Sequence, residues 1–471
     1  MAEKAATVIV KNLKSDHQSE SFTHFLPLSP TMKSEVFQAV AEIFDSAGGS
    51  ALLKSSKDVY LKPNAIDSKA YTYTRVELIE AVIHYWKEHG ANNIYLFENC
   101  TQSNFTRMVF ALTGYSAIAR KYGVKEIYLD EEKSSSYSFI GKASEKEEED
   151  GYMTTTFMLP QFIIDNLITN AADNLYISLP KLKTHSMAGV TLGVKNQWAF
   201  PQPSDRRSDH NFNLASKLVD VLGYLQPDFT LIEGLEATVY GHYPATALAD
   251  DCVLPFKVLI GGTNVVATDI VGARLFGLSP EQDVKHLQIA IERGYSKGVK
   301  SLADIQIVGD ISRFNQRYSW DLLPKFPQNI TMLKGSIRCC REGCLNNPLS
   351  VIQCLAYDFN GQGDWTIVMG KGHDAAAIEA ITGKVLVAGH CAIAEVGQQL
   401  IARLGRKNVY FTGYCNDLCA TTSALCNLMK VNPLMMAPMP FLQAVKLLTL
   451  ARIHGSQANV PNLFSHIFKV V

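Results

Sequence analysis

Asp58-Val-Tyr-Leu-Lys-Pro-Asn64 is the stretch on which the fold turns. A short apolar run stops at Lys62-Pro63-Asn64. Proline cannot sit in the middle of a ladder, so residues 58–61 are predicted as a buried strand with polar residues just past its end. Working outward, residues 75–89 place Val76, Ile79, Val82, Ile83 and Trp86 at helical spacing, and Gly90 supplies a stop. Residues 93–97 form the next predicted strand, ending at Glu98-Asn99-Cys100. Residues 105–122 then read as one helix and 126–129 as another strand. Strands and helices alternating at this interval predict an α/β fold with a mainly parallel sheet. The pattern continues with strands at 174–179, 229–233, 256–260 and 305–308, and helices at 214–225, 267–276 and 283–293.

The chain has 471 residues, more than one core usually serves, so two domains are expected. Leu322-Leu-Pro-Lys-Phe-Pro327 marks the boundary, giving an α/β domain over 1–328 and a smaller cysteine-rich α/β domain over 329–471. Within the second, residues 366–369, 385–388 and 409–412 are short apolar runs, each closely followed by glycine (Gly370, Gly389, Gly413). That spacing fits strand–helix units. Residues 392–404 and 441–454 read as helices, the latter packed in a core or facing a partner. Residues 131–151 read as a polar, solvated insertion with a charge run at 145–150. A net charge of −1 argues against a nucleic-acid partner. No apolar run is long enough to span a bilayer. The N-terminus lacks an apolar leader, so the cytoplasm is the expected compartment.

Pro180-Lys181-Leu-Lys183-Thr-His185 follows directly on a predicted strand, with Thr191 and Lys195-Asn196 close behind. Ligands of parallel α/β sheets bind past the carboxyl ends of strands, and lysine is a point-charge donor for phosphate or carboxylate oxygens. Lys181, Lys183, His185 and Lys195 are therefore the candidate catalytic residues of an anion-binding cleft. Lys62, Asn64, Glu98, Thr191, Asn196, Arg206 and His210 are the candidate substrate contacts. A plain solvated basic loop fits the spacing equally well. Asp269 reads as a helix cap rather than a catalyst. Glu233 and His242 follow another strand and stand as weaker candidates.

The run Leu179–His185, with Thr191-Leu-Gly-Val-Lys-Asn196, His210, Lys62-Pro63-Asn64 and Ala267-Thr-Asp269, resembles the signature of the family called domain of unknown function 362, over roughly residues 55–300. The family has no settled activity. The resemblance implies an association with iron–sulfur chemistry, often through a ferredoxin-like module. This sequence contains no Cys-x2-Cys-x2-Cys run, so a standard ferredoxin module is absent.

Eight of the ten cysteines nonetheless lie beyond residue 338. Cys339, Cys340 and Cys344 form one group; Cys391 and Cys415 close two strand–glycine units, and Cys419 follows one turn later. Neighbouring strands lie about 4.8 Å apart, so thiols past their ends gather at one edge. These six are the candidate ligands of an iron–sulfur cluster of the 4Fe-4S type, or of zinc, with buried apolar thiols as the plain alternative. Cys354 and Cys426 read as core. The expectation is an iron–sulfur redox protein with a small anionic ligand and a redox partner protein. A non-redox enzyme working through lysine and histidine, and a binding or assembly protein, are the alternatives.

Overall fold

The computed structural model describes residues 5–15, 21–138 and 156–461. The chain is mixed α/β, and its larger sheet is mostly parallel. Across that sheet run β13 (Ile305–Val308), β1 (Ala6–Asn12), β12 (Val258–Gly262), β10 (Phe229–Thr238), β7 (Leu175–Leu179), β2 (Val59–Pro63), β3 (Ile94–Glu98) and β4 (Lys125–Tyr128). From β10 to β4 every neighbour is parallel. β12 runs antiparallel to both β1 and β10. Val59, Tyr60 and Leu61 are buried on both faces, as expected of a strand covered by helices on either side. β8 (Lys181–His185) pairs with β10, and β9 (Gly189–Val190) folds back on β8.

The alternation read from residues 58–129 holds, with one break. The stretch 105–122 is two helices, Thr106–Thr113 and Tyr115–Tyr122, because Gly114 turns left-handed at φ 83°. β10 runs five residues past its expected end. Glu233 and Glu236 interrupt the apolar pattern there, yet both are buried because cations meet them inside the protein. Residues 184–210, readable from the sequence as a site loop with one strand in it, hold more regular structure than that. After β8 and β9 come the short helices Gly193–Asn196 and Pro203–Asp209. In the polar insertion, β5 (Ser134–Ser138) pairs antiparallel with β6 (Thr156–Pro160). The charge run at 145–150 and the first four residues lie outside the described residues.

The second sheet has four strands, all parallel, in the order β14 (Ile330–Lys334), β15 (Trp365–Met369), β16 (Val385–Ala388) and β17 (Val409–Phe411). The repeated strand–glycine units are its last three strands. Helices Asn346–Phe359 and Leu418–Met429 pack on one side, and His390–Leu404 on the other. Pro324 and Pro327 fall between β13 and β14, where the chain passes from one sheet to the next. The two parts touch closely: Asn346 donates to the Ser186 carbonyl at 2.7 Å, and Gln102 to the Asn416 carbonyl at 3.0 Å. Among the described residues, no helix is long and apolar enough to cross a membrane. The final helix, Phe441–Ile453, packs one side on Phe105 and Met108.

Candidate functional site

β2, β3 and β7 are parallel neighbours, so their carboxyl ends share one edge of the sheet. There the Lys62 ammonium, wholly buried, lies 2.9 Å from Glu98 Oε1 and donates to Asn196 Oδ1 at 2.9 Å. Glu98 also accepts from the backbone of Ala65 and Asn99. Burial still pulls the Lys62 pKa down, with Glu98 opposing it. Lys183 donates to Asn64 Oδ1 and to the Thr72 carbonyl, both at 2.6 Å. Here too burial holds the ammonium well below its usual pKa.

Lys181, Lys183 and His185 alternate along β8 and so share one face, yet they meet different fates. Lys181 Nζ is taken by Glu233 at 2.7 Å and Glu236 at 3.2 Å, with Arg75 on the far side of Glu236. All four residues are buried. Lys181 is thus part of an internal ion-pair network and does not line the cavity, and neither do Lys62 and Lys183, which lie beneath it.

The cavity itself has a volume of about 880 Å³. His185, Thr191, Lys195, Asn196, Arg206 and His210 line it, together with Asn64 and Glu98. Lys195 stands on the turn Gly193–Asn196, which Asp269 fixes: its two carboxylate oxygens accept from Gly193 N and Val194 N, each at 2.7 Å. A Cβ on Gly193 would come within 2.7 Å of Val265 and 2.8 Å of Asp269 Oδ1, so the close approach requires glycine. Asp269 therefore caps this turn rather than its own helix, which Asn264 caps. Lys195 has no hydrogen-bond or ion-pair partner among the described residues. Burial, with the Arg206 guanidinium nearby, brings its pKa down to about 7.

Three histidines complete the polar wall. His185 and His242 stack with ring centres 3.9 Å apart and planes within 2°; His210 lies 6.1 Å from His185. Burial keeps all three neutral at pH 7, His210 at a pKa of about 3. Met187 N–H donates to His185 Nδ1, which leaves the proton of the neutral ring on Nε2. His210 Nδ1 lies 2.7 Å from the Glu342 carbonyl, which only accepts, so His210 Nε2 is left as an acceptor. Arg206 donates to Asn99 Oδ1 and the Cys100 carbonyl at 2.9 Å each. Its Nε, Asn99 Nδ2 and Trp198 Nε1, all on cavity-lining residues, are buried without a partner among the described residues. Buried N–H groups are costly to leave unpaired, and an acceptor-rich ligand would satisfy them.

Five of the six candidate metal ligands come together beside this wall. Cys339 and Cys344 hydrogen-bond to each other, which lowers the Cys339 pKa and raises that of Cys344. Burial pushes Cys340 up to about 12, with Cys344 and Cys415 adding to it, and raises Cys391 and Cys415 as well. The turn Arg341–Leu345 carries them against the carboxyl ends of β16 and β17. A Cβ on Gly389 would lie 2.6 Å from Cys344 Cβ, and one on Gly343 would lie 3.2 Å from Cys415 Cβ. The positive field comes from Lys217, Arg338 and Lys371. Cys419 is not brought in: it lies 3.5 Å from Ser103 Oγ and donates to the Asn459 carbonyl at 2.9 Å. Cys354 lies by Lys69 and Cys426 by Met436. Among the described residues, no three His, Cys, Asp or Glu side chains meet closely enough to hold a single metal ion.

Sequence reasoning passed over Lys217, Asn99 and Trp198. A lysine inside the apolar helix Leu214–Leu222 was a usable signal, since a buried cation needs a partner.

Residues 59–274 match the family described as Domain of unknown function (DUF362). The match covers under half of the chain and agrees with the resemblance read from the sequence over roughly residues 55–300. The DUF362 segment runs from β2 to the helix Val265–Arg274. It holds the polar cavity wall and Asp269, and ends before the cysteines. No curated protein matches in sequence. Among solved structures, a crystal structure of a Thermotoga maritima protein aligns at 10% identity over 85% of this chain and 84% of that one, with a TM-score of 0.35.

Proposed function

We propose that this is an iron–sulfur redox protein whose cavity holds an anionic ligand. The observation that carries the reading is the convergence of Cys339, Cys340, Cys344, Cys391 and Cys415 against His210, through the Glu342 carbonyl. The donor set fits the group. Five thiols arrive from three chain segments, glycines stand beside them, and three cations offset the charge that thiolates would bring. Sulfurs on a four-iron cubane stand about 6–7 Å apart, judged from metal–sulfur bonds near 2.3 Å, so a cubane does not need the tight gathering a single zinc ion does. Such a cluster supplies one-electron transfer when bound. The chain's own part is to bind the anion at Lys195 and Arg206, and to present one imidazole that donates a hydrogen bond (His185 Nε2) and one that accepts one (His210 Nε2). A division of labour goes with this: residues 1–328 supply the polar wall of the cavity and 329–471 the thiols, in a cytoplasmic protein served by an external redox partner.

The test is iron and acid-labile sulfide in protein purified without air. About four of each per chain are expected, lost in Cys391→Ala and Cys415→Ala and kept in Cys419→Ser. Absence of iron in the wild type would leave a non-redox enzyme, in which Lys195 and the histidines act on the anion directly. The unpaired Lys195, titrating near neutrality, favours that second reading.

A further inference from the structure

The lysines on and beneath the cavity wall are paired, with one exception. Lys62 is held by Glu98 and Asn196, Lys69 by Asp358, Lys181 by Glu233 and Glu236, and Lys183 by Asn64 and the Thr72 carbonyl. Lys195 lines the cavity, and its Nζ has no hydrogen-bond or ion-pair partner among the described residues. Arg206, the other cation of the polar wall, is held by neutral oxygens of Asn99 and Cys100 and has no carboxylate within 4.0 Å among the described residues. Asp269 fixes the turn under Lys195, so the side chain starts from a firm backbone. His185, with its proton on Nε2, lines the same cavity, which at about 880 Å³ has room for an organic ligand. A lysine stripped of water beside a second cation, with no carboxylate to hold its proton, is the setting in which an amine becomes a nucleophile.

We infer that Lys195 is a nucleophile that condenses with the carbonyl carbon of an anionic aldehyde or 2-oxo acid, whose acid group pairs with Arg206. This rests on the anion-binding part of the function proposed above and adds the substrate class. The amine lone pair forms a C–N bond at the carbonyl carbon. The C–O bond then breaks, and the two amine hydrogens leave with that oxygen as water. The product is an imine, and no oxidant or reductant is consumed. His185 Nε2–H supplies a donor for the carbonyl oxygen as it gains charge. With a pKa near 7, about half of Lys195 is neutral at pH 7, against about 1 in 2,500 for an ordinary lysine. A less basic amine is a weaker nucleophile, which takes back part of that advantage and leaves about a tenfold one or more.

Cyanoborohydride reduces imines and so fixes them to the protein. Native protein at pH 7 is treated with cyanoborohydride and either glyoxylate, an anionic aldehyde, or propionaldehyde, a neutral one, and the labelled lysines are located by peptide mass spectrometry. Glyoxylate is expected to label Lys195 at least about tenfold faster than any other lysine. Methanesulfonate, an anion without a carbonyl, should bind and slow that labelling. Guanidinium chloride should erase the preference, which ties it to the folded site. Arg206→Gln should cut the ratio of glyoxylate to propionaldehyde labelling at Lys195 by about tenfold or more, since a buried charge-assisted contact is lost and the ratio cancels any change in the amine itself. Glyoxylate labelling spread evenly over the lysines, with methanesulfonate still bound, would overturn the imine inference and leave the anion site standing. Fast labelling of Lys195 by propionaldehyde and not by glyoxylate would overturn the substrate class. Failure of methanesulfonate both to bind and to slow glyoxylate would remove the anion site, and the inference with it.

Discussion

Lys195 makes the anion site sensitive to pH in a way that can be worked out in advance. In the free protein its pKa is near 7, drawn down first by burial and then by Arg206. A bound anion favours the ammonium and lifts that pKa, so affinity follows the fraction of free protein in which Lys195 is protonated. That fraction is about 0.9 at pH 6 and about 0.1 at pH 8 for a group titrating near 7. Affinity for methanesulfonate should therefore fall about tenfold from pH 6 to pH 8, and about tenfold again by pH 9. The histidines do not contribute in this window, since burial pushes His185, His210 and His242 well below it. Lys183 is also pulled down, but its ammonium is already held by Asn64 and Thr72. Lys195→Arg separates these contributions: a guanidinium stays charged, so binding should persist and the slope should flatten. The stability sign is opposite to the binding sign. A lysine whose folded pKa lies below its unfolded value costs most at pH 7 and below, and the cost fades as pH rises towards 10. Lys195→Met should therefore raise the melting temperature most at pH 6 and least at pH 10. Wild-type affinity that stays flat from pH 6 to pH 9, or a slope that survives in Lys195→Met, would refute the assignment.

Lys181→Met removes one partner of a buried ion pair and leaves Glu233 and Glu236 short of a cation. It should destabilise the fold by about 3–5 kcal/mol, read by denaturant titration. Any protein that still folds should bind methanesulfonate as the wild type does, because Lys181 does not line the cavity. Asp269→Ala orphans the Gly193 and Val194 N–H groups, so it should cost at least about 2 kcal/mol and weaken anion binding by loosening the turn that carries Lys195. Gly343→Ala sets a methyl group 3.2 Å from Cys415 Cβ and 3.3 Å from the His210 carbonyl. It should lower the iron content of anaerobic protein and weaken anion binding together, and unchanged values for both would refute the contact between the two sites.

The parallel half of the large sheet was legible because its evidence is local. Each strand is a short apolar run, and each candidate at its end (Lys62, Asn64, Glu98) stands within three residues of the last apolar position. In a parallel sheet such residues must share an edge, and the structure joins Lys62 to Glu98 and Lys183 to Asn64. Lys181 was not separable from Lys183 by the same reasoning. The two are spaced alike on one strand, and only the distant Glu233 and Glu236, held on β10, withdraw Lys181 into the interior. β10 was itself read too short because those two carboxylates look like the end of a strand until their cations are known. The apolar side of the cavity was hidden for a related reason. Phe441, Val445 and Leu448, which line it, read as any packed helical stripe, and what they face depends on contacts made more than 300 residues away in sequence.

The link between thiols and cavity has the same long-range character. His210 lies in the DUF362 segment, more than 120 residues before the first cysteine of the cluster, and nothing in its neighbours in sequence ties it to them. Its tie is a single hydrogen bond to the Glu342 carbonyl, on the turn that carries Cys340 and Cys344. That bond does two things at once. It fixes the proton of His210 on Nδ1, which leaves Nε2 as a hydrogen-bond acceptor of the cavity wall. It also ties the orientation of the ring to the backbone of the cysteine turn, so a shift of that turn moves the acceptor. Under the proposed function a change in charge at the thiols would act on the same ring across a buried contact, where interactions between charges are screened far less than at the surface. Under the function proposed above, His210 is thus the residue that would couple the cysteine turn to the cavity wall.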